Sequence, residues 1–126
     1  MATKLDLAYT AGLIDGEGCF FARSSPAIKF SNTDLGLINY LVKTFGGKVN
    51  TKQKLKNKTF YSWYLYGQLA VDFTEQILPF LIYKKPQAEL ILNFYKTKIG
   101  SGNKLTEEIK AQRKIICQKL KDLKKL

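Results

Sequence analysis

Asp15-Gly16-Glu17 places two carboxylates one glycine apart at the end of a helical pattern. Glu17 falls where a carboxylate would point out of the helix bottom, and Gly16 would leave its own carbonyl bare beside it. The chain contains no histidine. That removes the Ser-His-Asp triad, the Cys-His dyad, histidine-ligated zinc and histidine as general base. Chemistry here has to run on carboxylates, lysine, tyrosine, backbone groups or an oxygen-bound metal. On pattern alone, a glycine-terminated helix with two solvated acids explains the same residues equally well.

Composition narrows the partner. The chain has 126 residues, one domain's worth, with a formal charge of +11. An apolar fraction of 45% is that of a chain with a buried core. The charge points to a polyanion, with nucleic acid first and an anionic membrane surface second; a merely basic soluble protein is the bland alternative. The excess is nearly all lysine, with arginine only at Arg23 and Arg113, which suits phosphate contacts better than bidentate guanine reading. No apolar run approaches the ~20 residues of a membrane span. The first residues lack a charged-then-apolar secretory pattern. Cys19 and Cys117 are therefore expected as free thiols.

The elements that must position the carboxylates read as one α+β domain without linkers. Residues 5–15 form a helix with small residues four apart, Ala8, Gly12 and Gly16, which let a second helix backbone approach. Gly16 and Gly18 are expected to stop it, leaving Glu17 just beyond the end. Strands follow over 18–24 and 27–31 around Ser24-Ser25-Pro26. A helix with Leu35, Ile38, Leu41, Val42 and Phe45 on its apolar face then runs to Gly46-Gly47. A second hairpin spans 48–55 and 59–66 around Lys56-Asn57-Lys58. Residues 68–78 are helical with Leu69, Phe73 and Ile77 inward. Pro86 opens a helix over 86–98. A Lys-rich tail, 104–126, carries Leu105, Ile109, Ile116, Leu120 and Leu123 at helical spacing, and packing over the body is expected ahead of a coiled coil. The order is αββαββα plus C-terminal helix.

Alternation sorts the strand faces. Phe20, Ala22, Ile28 and Phe30 suit the core. Cys19, Phe21, Arg23, Lys29 and Ser31 fall opposite, on a surface that can follow the major groove. Lys48, Asn50, Lys52 and Lys54 share one face of the second hairpin. The lysines near its tip, Lys56 and Lys58 included, read equally as a phosphate clamp or a solvated loop. Strand 59–66 is aromatic on both faces.

The stretch Thr10-Ala11-Gly12-Leu13-Ile14-Asp15-Gly16-Glu17-Gly18 resembles the LAGLIDADG motif of homing endonucleases. It matches at Ala11, Gly12, Leu13, Ile14, Asp15 and Gly18. Glu17 is the other acid in place of Asp, Thr10 replaces Leu and Gly16 replaces Ala. The element order resembles the family's core over about residues 4–99 of the single domain, 1–126, with one motif as in the homodimeric members. The resemblance implies a curved antiparallel DNA-binding sheet and two motif helices packed at a dimer axis through Ala8, Ala11, Gly12, Asp15 and Gly16. It implies that Glu17, with the Gly16 carbonyl, holds Mg²⁺, and that Ca²⁺ or Mn²⁺ can stand in for binding. Asn32 matches a polar position that orders the metal's water, with Asp34 as alternative and helix capping as a second role for both. Lys84 matches an active-site lysine, with Lys85 adjacent, and a solvated turn lysine is the plainer reading. The resemblance also turns Tyr61 and Trp63 toward DNA.

The implied function is site-specific double-strand DNA cleavage that starts intron homing. A maturase binding intron RNA and a cleavage-inactive DNA-binding protein share the fold as alternatives; Glu17 speaks against the latter. A membrane-surface role would need a continuous basic amphipathic helix, which only the tail approaches. The Lys-, Asn- and Ile-rich composition fits an AT-rich genome, in an organelle (chloroplast or mitochondrion) or a bacterial cytoplasm.

Overall fold

In the computed structural model, helix α1 (Lys4–Glu17) passes into strand β1 (Gly18–Ala22) without an intervening residue. The chain continues as β2 (Pro26–Asn32), α2 (Leu35–Phe45), β3 (Lys48–Leu55), β4 (Lys58–Tyr66), α3 (Gln68–Ile77), a short 3₁₀ turn (Leu78–Phe80), α4 (Lys85–Tyr95) and α5 (Glu107–Lys124). The structure describes residues 2–55, 58–97 and 106–124, without the side chains of 52–55 and 58. Lys56, Leu105 and the ends expected for the last two helices lie outside it, as does the side chain of Lys54. No helix among the described residues is long and apolar enough to cross a membrane.

α1 starts at a capping box. Thr3 Oγ1 accepts from the Asp6 N–H at 3.1 Å, and Asp6 Oδ2 accepts from the Thr3 N–H at 2.9 Å. The Tyr40 hydroxyl donates to Asp6 Oδ1 at 2.7 Å and ties α2 to this first turn. At the other end the helix runs through Gly16 and Glu17, two residues past the expected stop. Its terminus is set at Gly18, where a Cβ would lie 2.8 Å from Ile14 Cα. Only glycine lets the strand leave this close to the helix.

The four strands form one antiparallel sheet in the order β1-β2-β4-β3. Phe20, Ile28, Phe30, Trp63 and Leu65 are buried on one face, under a core completed by Ala11, Ile14, Ile38, Leu41, Phe73, Ile77, Ile91 and Leu120. Two side chains expected inward turn out. Leu35 and Leu69 are exposed, because α2 buries Ile38 and Leu41 and α3 buries Ala70, Phe73, Thr74 and Ile77, stripes that pass both leucines by.

The tail packs on the body as expected. Leu120 is buried, worth ~1.5–3 kcal/mol for a leucine side chain, and Ile116 lies against the core. Arg113 donates to Thr97 Oγ1 at 2.9 Å and to the Thr97 carbonyl at 3.2 Å, above the Phe94 ring. One of the two arginines is thereby committed to anchoring α5.

The link from α2 to β3 is a tight turn of two glycines, Gly46 and Gly47. Gly47 has φ +98°, and a Cβ there would stand 2.6 Å from the Tyr64 carbonyl and 2.8 Å from Trp63 Nε1. Trp63 Nε1 itself donates to the Gly46 carbonyl at 2.7 Å. Gly47→Ala is expected to cost about 1–3 kcal/mol through the left-handed backbone and the clash. Urea unfolding followed by fluorescence of the single tryptophan measures it; an unchanged midpoint contradicts this account of the turn.

Candidate active site and nucleic-acid interface

The last turn of α1 carries the acids, and they have different tasks. Asp15 is consumed by backbone. Its Oδ2 accepts from the Ile82 N–H at 2.8 Å, and its Oδ1 from Tyr83 at 3.2 Å and Lys84 at 2.8 Å. Glu17 is exposed, and one amide touches it: Asn32 Nδ2 donates to Glu17 Oε2 at 3.3 Å. Glu17 is therefore the carboxylate left available for an incoming cation. The neighbouring Gly16 carbonyl lies in the final helical turn, where carbonyls lose their i+4 donors.

Asn32 is held from behind. Its Oδ1 accepts from the Asp34 N–H at 2.8 Å, which aims its amide nitrogen at Glu17. Asp34 faces the other way and caps α2, accepting from the Leu37 N–H at 3.2 Å. Of these two polar residues, the structure brings Asn32 to the acid and gives Asp34 to the helix.

Lys84 reaches the same helix end from the opposite side. Its Nζ donates to the Ile14 carbonyl at 3.0 Å and to the Gly18 carbonyl at 2.5 Å. Burial pulls its pKa below the ordinary lysine value, while Cys19, Asp15 and Glu17 pull it back up. Lys124 of α5 adds a like charge that lowers it. A cavity of about 290 Å³ opens beside it, lined by Gly18, Cys19, Tyr83, Lys84, Gln87, Leu123 and Lys124. Lys85 is exposed in the first turn of α4. No group of three or more His, Cys, Asp or Glu able to hold a metal occurs among the described residues.

The sheet's open face carries most of the expected contact residues. Cys19, Phe21, Arg23 and Lys29 line a groove of about 720 Å³ with Tyr64, Tyr66, Cys117, Leu120, Lys121 and Lys124. Lys29 Nζ stands 5.8 Å from the Tyr64 ring centroid, and Tyr64 and Tyr66 stack at 5.7 Å. The Ser31 and Ser62 hydroxyls meet across the strands at 2.7 Å. Lys48 pairs with Tyr64 and Asn50 with Ser62, so both share this face; Lys52 pairs with Phe60.

Tyr61 and Trp63 are corrected. Trp63 lies opposite Phe30 and is fully buried, edge-on to Phe73, and Tyr61 packs against the same core. Pairing of Lys29 with Tyr64 fixes the parity of β4 and puts Ser62, Tyr64 and Tyr66 on the face opposite the core, where Tyr66 is exposed while Ser62 and Tyr64 are covered by their neighbours. Residue type gives no signal here, since Tyr61 faces the core while Tyr64 and Tyr66 lie on the opposite face; the pairing register alone separates them.

α1 also presents an unpartnered face. Leu5 is 82% and Tyr9 54% exposed, and Ala8, Gly12 and Gly16 are exposed beside them at helical spacing. A Cβ on Gly12 or Gly16 would meet nothing within 4 Å. Ala11 is corrected: it is fully buried in its own core, a turn away from this face. Asp15 likewise serves the 82–84 segment.

Comparison with solved structures decides the fold. The chain superposes on the homing endonuclease I-CvuI in complex with its target in the presence of calcium, with a TM-score of 0.77 and 18% identity over 94% of this chain and 82% of that one. The archaeal intron-encoded homing endonuclease I-Vdi141I, complexed with DNA, gives a TM-score of 0.76 at 16% identity, covering 94% and 84%. The LAGLIDADG homing endonuclease I-LtrWI, bound to target DNA, gives 0.64 at 24% identity, and the match covers 94% of this chain but 45% of that one. This chain has the LAGLIDADG homing endonuclease fold. No protein-family model matches the sequence. No curated protein matches it either.

If Asp34 is a cap and nothing more, Asp34→Ala lowers stability by about 1 kcal/mol and leaves the Asn32–Glu17 contact in place. Urea titration measures the first, and a crystal structure of the variant checks the second.

Proposed function

We propose that the protein is a homodimeric, divalent-metal-dependent DNA endonuclease of the LAGLIDADG type, cutting a long near-palindromic duplex site and so promoting intron homing. The observation that carries the reading is the division of labour at the end of α1. Asp15 is saturated by three N–H groups, whereas Glu17 is exposed, steadied by Asn32, and borders the open sheet face. A carboxylate kept accessible beside a basic surface is useful to a cation that bridges protein and phosphate.

In this reading Glu17 and the Gly16 carbonyl hold Mg²⁺, which supplies activated water and charge neutralisation when bound. Asn32 steadies the Glu17 carboxylate and would stand beside the water of a bound ion. The Lys84 ammonium, lodged between the Ile14 and Gly18 carbonyls, adds positive charge where the phosphoryl transition state gathers negative charge. Cys19, Phe21, Arg23, Lys29, Ser31, Lys48 and Asn50, joined by the exposed Tyr66, form the DNA surface, with the backbone of Lys52 continuing β3 beyond them. The four strands, each of which spans up to ~3.4 Å per residue, are long enough to follow several base pairs.

One chain offers one such set, and two strands need two. The open face of α1 supports the second copy: Leu5, Ala8, Tyr9, Gly12 and Gly16 are apolar or small and uncovered. Because a side chain at Gly12 has room within the single chain, Gly12→Leu is expected to give a folded monomer. Sedimentation at micromolar concentration checks this; a wild-type monomer there overturns the two-site mechanism.

Glu17→Gln keeps the shape and the Asn32 contact but removes the charge that draws the metal. Cleavage of duplex carrying the target is expected to fall about 10²–10⁴-fold, with binding unchanged or slightly tighter. Cleavage in Mg²⁺ against EDTA, beside a gel-shift titration in Ca²⁺, reads both. A variant that cuts at the wild-type rate sinks the assignment of Glu17. Wild-type and variant proteins that both bind intron RNA tightly while neither cuts DNA would favour the maturase reading.

A further inference from the structure

Two helix ends meet at this site: Asp15 of α1 binds the segment that leads into α4, and Lys84, the residue before α4, binds the end of α1. α4 begins at Lys85 with no side-chain cap of its own, and Pro86 in its first turn has no N–H to give. The N–H groups of Ile82, Tyr83 and Lys84 all converge on Asp15. In return, the Lys84 ammonium closes on the Ile14 and Gly18 carbonyls at the end of α1. Negative charge thus sits at the start of one helix and positive charge at the end of the other, the favourable sense for both dipoles.

We infer that Asp15 is a positioning residue: by fixing the backbone of residues 82–84 it sets where the Lys84 ammonium stands beside the end of α1. Between the buried Leu81 and the first turn of α4, Ile82 and Tyr83 have little else to hold them. Ile82 is 89% and Tyr83 63% exposed, so apolar packing does not locate this stretch. The anchoring has to be polar, and three hydrogen bonds to one carboxylate supply it. A neutral amide cannot replace that carboxylate. Asparagine has one acceptor oxygen, and its NH₂ would face an N–H of the 82–84 segment, donor against donor. The backbone would shift, and Lys84 with it. This inference rests on the nuclease reading only for its effect on cleavage; the placement of Lys84 can be read without any cleavage.

The test is a double-mutant cycle with an independent probe. Asp15→Asn is expected to slow single-turnover cleavage by ~10–100-fold, the size of effect that an ångström-scale misplacement produces. Affinity for the duplex in Ca²⁺ should change by less than about 3-fold, since phosphate contacts elsewhere dominate binding. In a Lys84→Met background the same substitution should cost less than about 3-fold, because the group it positions is already gone. An equal loss in both backgrounds overturns the inference and makes Asp15 a merely structural cap. Lysine acetylation read by mass spectrometry supplies the probe: Lys84 should react several-fold faster in Asp15→Asn than in wild type, with exposed Lys85 as the internal reference. Unchanged Lys84 reactivity overturns the inference as well. If wild-type protein does not cut duplex in Mg²⁺, the nuclease reading falls, and the reactivity ratio still decides the role of Asp15. Should Asp15→Asn fail to fold, Asp15→Glu carries the same measurements, since its longer stem displaces the carboxylate while keeping its charge.

Discussion

Everything at the site depends on a helix turning into a strand with no residue between them. Gly18 makes this possible because its missing side chain lets the backbone pass against Ile14. The junction puts Glu17, the last helical residue, at the border between the buried helix layer and the open sheet face. It also leaves the Ile14 and Gly18 carbonyls side by side, and that pair is the seat of the Lys84 ammonium. A longer connection would separate the acid from the sheet and the carbonyls from each other.

The same helix must satisfy two environments. Thr10, Ala11 and Ile14 are buried in the chain's own core, while Leu5, Tyr9, Gly12 and Gly16 face outward. A surface helix of a monomer has one apolar stripe and a polar back. α1 has an apolar side and a small-residue side, and charged groups are confined to its ends. The acids at its C-terminal end run against the helix dipole, which favours cations there. Lys84 offsets that cost in the free protein, and a bound divalent cation would offset it further. A chemically useful carboxylate is thus kept where the backbone itself already favours positive charge.

The basic surplus is distributed in a matching way. Lysine dominates, and one of the two arginines, Arg113, is spent on holding α5 against Thr97 and Phe94. The open face keeps Arg23, Lys29 and Lys48 around stacked tyrosines and a serine pair. Such a surface has strong attraction for phosphates and short hydroxyl groups at its centre. The hydrogen-bonding groups such a face offers are hydroxyls and a tyrosine edge more than arginine forks.

Much of this was legible in the residues. The αββαββα order followed from turn residues, caps and periodicity, which are local. The acid pair, the missing histidine and the motif spacing directed attention to Glu17. Faces of β1 and β2 followed from alternation, because one face of each is plainly apolar. Strand β4 defeated that logic: with aromatics on both sides, only its pairing with β2 decided that Trp63 joins the core face and Tyr64 the opposite one. Pairing register is a contact between residues about thirty positions apart, and no local pattern encodes it. The two acids of α1 likewise look equivalent in sequence. Asp15 becomes a backbone anchor and Glu17 an accessible carboxylate because residues 82–84, nearly seventy positions on, bring three N–H groups to one acid and none to the other.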